Sequence, residues 1–133
     1  MYKRILMALD ASPADEAVIE HIEELAAIHK SHVILLRVAH AHTRDGMTHE
    51  VEESEEYIEN VAKRLAAGGI EVETVVAHGE PSEEIVREAE ERNVDLIAMA
   101  THGRSGIGRW LLGSVTSKVL QVGRKPVMAV RSK

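Results

Sequence analysis

The chain has 133 residues, inside the usual span of a single domain, and one domain over residues 1–133 is expected. With 16 Lys and Arg against 22 Asp and Glu the formal charge is −6, which argues against nucleic acid as a partner because affinity for a phosphate backbone comes from clustered cations. Cysteine is absent, which excludes disulfides, thiolate metal sites and a Cys nucleophile. Aromatic residues are 2% of the chain (Tyr2, Tyr57 and Trp110) while hydrophobic residues are 44%, so the core must be aliphatic. The longest apolar run is about six residues against the ~20 of a membrane span. Lys3 and Arg4 precede an apolar stretch too short for a signal-peptide core. A cytoplasmic protein with no membrane partner is expected.

Five short apolar runs alternate with four stretches of helical period, the pattern of a parallel α/β sheet. Residues 5–9 read as the first strand, ended by Asp10. Ser12 can then cap a helix opened by Pro13, with Asp15 completing an acidic capping box, and apolar residues at 14, 17, 18, 22, 25 and 26 share one face to about His29. The second strand, 33–38, is almost continuously apolar. Residues 39–50 are polar and read as a loop, followed by a helix using Val51, Ile58, Val61, Ala62, Leu65 and Ala66 that Gly68 and Gly69 stop. The third strand, 70–77, interleaves Glu71, Glu73 and Thr74 with apolar residues. Pro81 and Ser82 open a third helix that Asn93 can end, and the fourth strand, 94–100, is apolar apart from Asp95. A glycine-rich loop, 101–112, leads to a fourth helix beginning near Gly113 and Ser114. Lys125 and Pro126 introduce the last strand, 127–130.

Strands buried on both faces read as unbroken apolar runs, whereas edge strands tolerate polar residues. Strands 1, 2 and 4 are therefore predicted to be central and strand 3 an edge. With right-handed crossovers this gives a doubly wound five-stranded parallel sheet in the order 3-2-1-4-5 with helices on both faces, in preference to 2-1-3-4-5. Its switch point falls between strands 1 and 4, and ligands bind beyond the carboxyl ends of strands at such a point. Asp10 and the segment from Ala100 to Gly103 stand there.

Four glycines occur in the eleven residues from Gly103 to Gly113, permitting positive φ angles and close approach of backbone amides. Gly113 and Ser114 start a helix whose free amides and dipole suit an anion. Ser114 and Thr116 add hydroxyls, and Arg104 and Arg109 add positive charge. A phosphate site follows. The loop contains no Gly-x4-Gly-Lys-Ser/Thr, which excludes a P-loop, and it follows strand 4 without a Gly-x-Gly-x2-Gly pattern, which disfavours a Rossmann dinucleotide site. What the sequence does contain is Gly103, nine residues, then Gly113-Ser114.

That spacing, with Asp10 closing strand 1 and Lys125-Pro126-Val127 opening the last strand, resembles the universal stress protein family over essentially the whole chain, including the opening Tyr2-Lys3-Arg4-Ile5-Leu6. The resemblance implies the 3-2-1-4-5 sheet of an adenine nucleotide alpha hydrolase-like fold. It is to the ATP-binding branch, whose loop reads Gly-x2-Gly-x9-Gly-Ser/Thr. By position, the resemblance implies that Asp10 and the backbone at Val38 hold adenosine and that Thr101, His102 and Gly103 lie along ribose and α-phosphate. It further implies that Gly113, Ser114, Val115 and Thr116 cradle the β- and γ-phosphates. Ala8, Met99, Ala100 and Arg104 complete the candidate set. Mg²⁺ would be held through the phosphates, with Ser114 its candidate protein ligand, and no catalytic residue is assigned. The motif's first glycine is Ala100 here, adding a methyl group where the ribose would lie. Family relatives often pair through the last strand, so a homodimer through Val127–Val130 is expected.

Other readings start from the same residues. Asp10 could accept a phosphoryl group as in response-regulator receivers, but those place the residue after strand 3, where this chain has Ala77 and His78. His40, His42, Asp45 and His49 could ligate a metal, though no fixed spacing aligns the imidazoles. The run from Glu50 to Glu59 reads as an exposed helix face, and Trp110 as a packing anchor. No Ser-His-Asp set or acid/base carboxylate pair can be located. The sequence thus points to a nucleotide-responsive stress or regulatory module. A slow Mg-dependent ATPase or phosphotransferase in the same pocket, or a dimeric interaction protein without nucleotide, are the alternatives.

Overall fold

The computed structural model describes residues 1–39, 44–101 and 114–131, and over 44–51 the backbone alone. The elements run β1 (Arg4–Leu9), α1 (Asp15–His29), β2 (His32–Ala39), α2 (Arg44–Ala67), β3 (Glu71–His78), α3 (Pro81–Glu91), β4 (Leu96–Ala100), α4 (Ser114–Val122) and β5 (Val127–Val130). All five strands are parallel, in the order β3-β2-β1-β4-β5. This is the order expected from the polarity of the strands.

The sheet is apolar on both sides because each face is covered by helices. Ile5, Met7, Leu9, Val33 and Leu35 pack under Val18, Ile19 and Ile22 of α1 and Ile58, Val61 and Leu65 of α2. Leu6, Ile34, Leu36, Val38, Ile97 and Met99 pack on the other face under Ile85 and Ala89 of α3 and Val119 of α4. The division follows from handedness: β1 to β3 step one way across the sheet, and the chain then returns past β1 to β4 and β5. Right-handed crossovers therefore put the first two helices on one face and the last two on the other.

Edge strands carry the polar residues. On β3, Glu73 accepts from Arg92 at 2.9 Å and lies 3.0 Å from His32 Nε2, pairs that hold its carboxyl below the usual range, the His32 contact contributing most. Thus the alternation that marks strand 3 as an edge also ties it to β2 and to the end of α3.

Two local expectations are corrected. Residues 44–50, expected as loop because they are polar, belong to α2; they contain no proline and several good helix formers, and polarity alone does not stop a helix. Ser12 does not cap α1. The helix starts later, at Asp15, with Ala14 in the cap position and no side-chain cap bond, and Ser12 Oγ is buried without a hydrogen-bond partner among the described residues. The helix stops act as read, Gly69 taking φ +84° after α2 and Asn93 φ +49° after α3, whereas β4 begins at Leu96 instead of 94 and β3 spans Glu71–His78 instead of 70–77.

Leu35 is fully buried in the centre of β2. Its replacement by alanine should cost about 2–5 kcal/mol in urea unfolding, while Ile28→Ala, at a side chain 75% exposed, should stay within about 0.5 kcal/mol.

Candidate functional site

Three predicted positions stand at the ends of neighbouring strands. Leu9 pairs with Arg37, and the β1–β4 pairing runs to Met7 and Ala98. Asp10 follows the last residue of β1, Val38 is next to the last residue of β2 and Thr101 follows the last residue of β4. They therefore belong to the carboxyl edge of β2, β1 and β4, with the β1–β4 switch point between the last two.

The helix that follows β4 is pinned to the same edge. Thr116 is buried, and its hydroxyl donates to the carbonyl of Ala100 at 2.9 Å, fixing the first turn of α4 against the end of β4. The amide of Thr101 donates to Val130 at 3.0 Å, so β5 braces the same point from the far side. Ser114, the first residue of α4, is exposed. A helix start with its free amides and an open hydroxyl therefore sits next to the row of strand ends.

The predicted site residues separate by what they can offer. Ala8, Val38, Met99 and Val115 belong to, or pack against, the apolar cluster under α3 and α4, so they shape the floor. Ala100 ends β4 in register with Val130, is not among the residues with positive φ, and packs against the cluster under α1 and α2. Alanine is therefore accommodated at the motif's first glycine without backbone strain. His102, Gly103, Arg104 and Gly113 lie outside the described residues, as do Arg109 and Trp110. The cluster of His40, His42, Asp45 and His49 also lies outside the part whose side chains are described. Among the described residues no group of three or more His, Cys, Asp or Glu side chains is placed to hold a metal.

The turn that carries Asp10 is built around a residue that local reading assigned to a cap. The carboxylate of Asp15 accepts the amide of Asp10 at 3.2 Å, the amide of Ala11 at 2.8 Å and the hydroxyl of Tyr57 at 2.5 Å. Ala11 takes φ +62°, the left-handed conformation that turns both amides towards that one carboxylate. Asp10 Oδ1 in turn accepts the amide of Ser12 at 3.0 Å. Asp15 is 2% exposed. Burial raises its pKa to about 6 despite the hydrogen bond from Tyr57, with Asp10 nearby adding to the rise. The Tyr57 hydroxyl is pushed up as well, by burial first and then by its bond to Asp15. The partner on α2 is 42 residues away in sequence, so only the spacing of Asp10 and Asp15 was available to hint at this arrangement.

An open parallel α/β sheet with helices on both faces and its switch point between β1 and β4 defines a doubly wound α/β protein. The chain matches the model of the universal stress protein family over residues 1–131. It is 34% identical to universal stress protein MJ0577 of Methanocaldococcus jannaschii, spanning 100% of this chain and 97% of that protein. The solved structure of MJ0577 superposes with a TM-score of 0.88 at 35% identity, covering 100% of this chain and 98% of that one. The same fold, at lower identity, is seen in a universal stress protein in complex with cAMP (TM-score 0.80, 20% identity, 99% of both chains). It is seen again in one from Archaeoglobus fulgidus in complex with dAMP (0.73, 23%, 99% of this chain and 98% of that one). This chain belongs to the universal stress protein family.

The raised pKa of Asp15 makes a signed prediction. The folded protein holds a proton that the unfolded chain, with an ordinary carboxylate near 3.8, has already released. Stability from this group is therefore greatest at low pH and is lost as pH rises through about 4 to 6. Asp15→Asn removes that loss. Compared by urea unfolding at pH 4.5 and 7.5, the variant should improve relative to the parent by on the order of 1–3 kcal/mol at the higher pH; an unchanged difference would show that the carboxylate is not ionised at a cost.

Proposed function

We propose that the chain is an adenine nucleotide-binding module of the universal stress protein family, taking ATP with Mg²⁺ at the β1–β4 crevice, and that it acts as a nucleotide-responsive stress or regulatory protein. What supports this reading is that Asp10, Val38 and Thr101 lie at or just beyond the carboxyl ends of the neighbouring strands β1, β2 and β4, with the start of α4 anchored to the end of β4. Such an edge offers two kinds of chemistry. Asp10 brings a carboxylate and Val38 the edge of an apolar floor, which suits a ribose and a base. The start of α4, with Ser114 open, presents amides and a hydroxyl to an anion.

The residues present fit the group. The floor under α3 and α4 is apolar, the hydroxyl of Ser114 is exposed, and Ala100 lies in ordinary strand conformation. ATP would supply a polyanion to which loop amides and the two arginines of the 101–112 loop respond, with Mg²⁺ held through its phosphates and Ser114. Thr116 acts by position, since its hydroxyl is given to Ala100. Two structures of the same fold contain adenine nucleotides, cAMP in one and dAMP in the other, which makes the adenine class the first to test.

Calorimetric titration with ATP and Mg²⁺ should show one site. Asp10→Ala, which deletes a charged hydrogen-bonding group, should weaken binding roughly 10- to 100-fold, and Gly113→Val should weaken it comparably by burdening the helix start. No heat at millimolar ATP would reject the reading. Steady phosphate release that disappears in Gly113→Val would move it to an ATPase.

A homodimer through β5 completes the proposal. β5 is one of the two edge strands of the sheet, and α4 leaves Leu120 and Val122 47% and 63% exposed. Met128 and Val130 pack against the core, whereas Ala129 is exposed, so Ala129→Lys is the cleaner probe. It should give monomers by sedimentation at a concentration where the parent is dimeric; equal masses for both would exclude pairing through this strand.

A further inference from the structure

We propose that Tyr57 is a positioning residue for the nucleotide site: from α2 its hydroxyl fixes the Asp15 carboxylate, which holds the amides of Asp10 and Ala11, so the seating of α2 sets the aim of Asp10. The inference rests on the nucleotide reading and extends it to a residue outside the crevice.

The geometry is a relay of three direct contacts. Asp15 is almost wholly buried at the first residue of α1, and a single oxygen, Oδ2, receives the Tyr57 hydroxyl at 2.5 Å and the Ala11 amide at 2.8 Å. The same oxygen is 3.2 Å from the Asp10 amide. Asp10 and Ala11 form the corner where β1 ends, and Ala11 stands there in a left-handed conformation that an alanine does not adopt unaided. The buried carboxylate is what compensates for that conformation. Removing the hydroxyl leaves the carboxylate with one fewer donor while keeping the tyrosine ring in the core, where it packs against the cluster under α1 and α2.

α2 is seated on α1 by a second, separate contact. Arg64, two turns beyond Tyr57, bonds Glu16 at 2.8 Å and Glu23 at 2.7 Å. This pair lies at the protein surface and touches neither Asp15 nor the turn. It therefore supplies the control for a purely structural role. Arg64→Ala loosens the two helices without touching the relay, whereas Tyr57→Phe breaks the relay and keeps the clamp.

The test compares the two variants with the parent in two readouts. The first needs no nucleotide: amide hydrogen exchange at residues 10–12 should quicken about 10-fold in Tyr57→Phe and stay near the parent in Arg64→Ala. The second is calorimetric titration with ATP and Mg²⁺, in which Tyr57→Phe should raise Kd about 5- to 10-fold and Arg64→Ala less than 2-fold. Unchanged exchange at residues 10–12 in Tyr57→Phe would overturn the relay. Faster exchange with unchanged Kd would overturn its link to the ligand. Affinity losses in both variants that simply follow their loss of stability would reduce Tyr57 to a structural residue and overturn the proposal. A parent that takes up no ATP would overturn the nucleotide reading and the link together, while the exchange readout still decides whether Tyr57 holds the turn.

Discussion

Every feature of the candidate site depends on one constraint, the right-handed crossover between parallel strands. Because β1 to β3 advance in one direction and β4 and β5 in the other, the chain leaving β1 must climb to one face and the chain leaving β4 to the opposite face. The two departures send the chain to opposite faces at the carboxyl edge of β1 and β4. Asp10 and Thr101 are the first residues beyond these two strands, which is why a sheet built largely of apolar residues presents polar groups at this end.

That divergence also explains why the two sides of the switch point are braced differently. On the β4 side the brace is short-range and neutral: the Thr116 hydroxyl on the Ala100 carbonyl, and the Thr101 amide on Val130. On the β1 side it is ionic and long-range, reaching from a buried carboxylate to a tyrosine on another helix. The neutral brace is insensitive to pH over the physiological range. The ionic one costs desolvation, partly offset by three donors, and leaves Asp15 with a pKa of about 6.

The sheet order was legible because it depends on composition strand by strand: almost continuous apolar runs for β1, β2 and β4 against interleaved glutamates in β3. The ends of helices followed where a special backbone angle was needed, as at Gly69. The Asp10 turn was not legible in the same way. Ser12 and Asp15 stand at capping-box spacing, and local pattern gives no means of knowing that the helix starts only at Asp15 and that its carboxylate bonds the preceding turn and a tyrosine 42 residues on. Polarity misled over residues 44–50 because a stretch with few apolar residues looks like a loop when hydrophobic period is the only guide. Ala100 shows the reverse case, in which a departure from a family motif raises a steric question that the backbone geometry answers.

The charge balance takes on a different meaning beside this geometry. A chain of net charge −6 with two carboxylates within the six residues from Asp10 to Asp15 would be expected to repel a polyanion. Position tempers that repulsion. Asp15 is enclosed, its charge met by two amides and a hydroxyl, and burial draws it part of the way towards the neutral form near pH 6. Asp10 follows β1, whereas the start of α4, where an anion is favoured, is anchored to the end of the neighbouring strand β4. On the proposed nucleotide reading, placing the carboxylate on β1 and the helix start on β4 would let an acidic protein take a ligand that is neutral at one end and highly charged at the other.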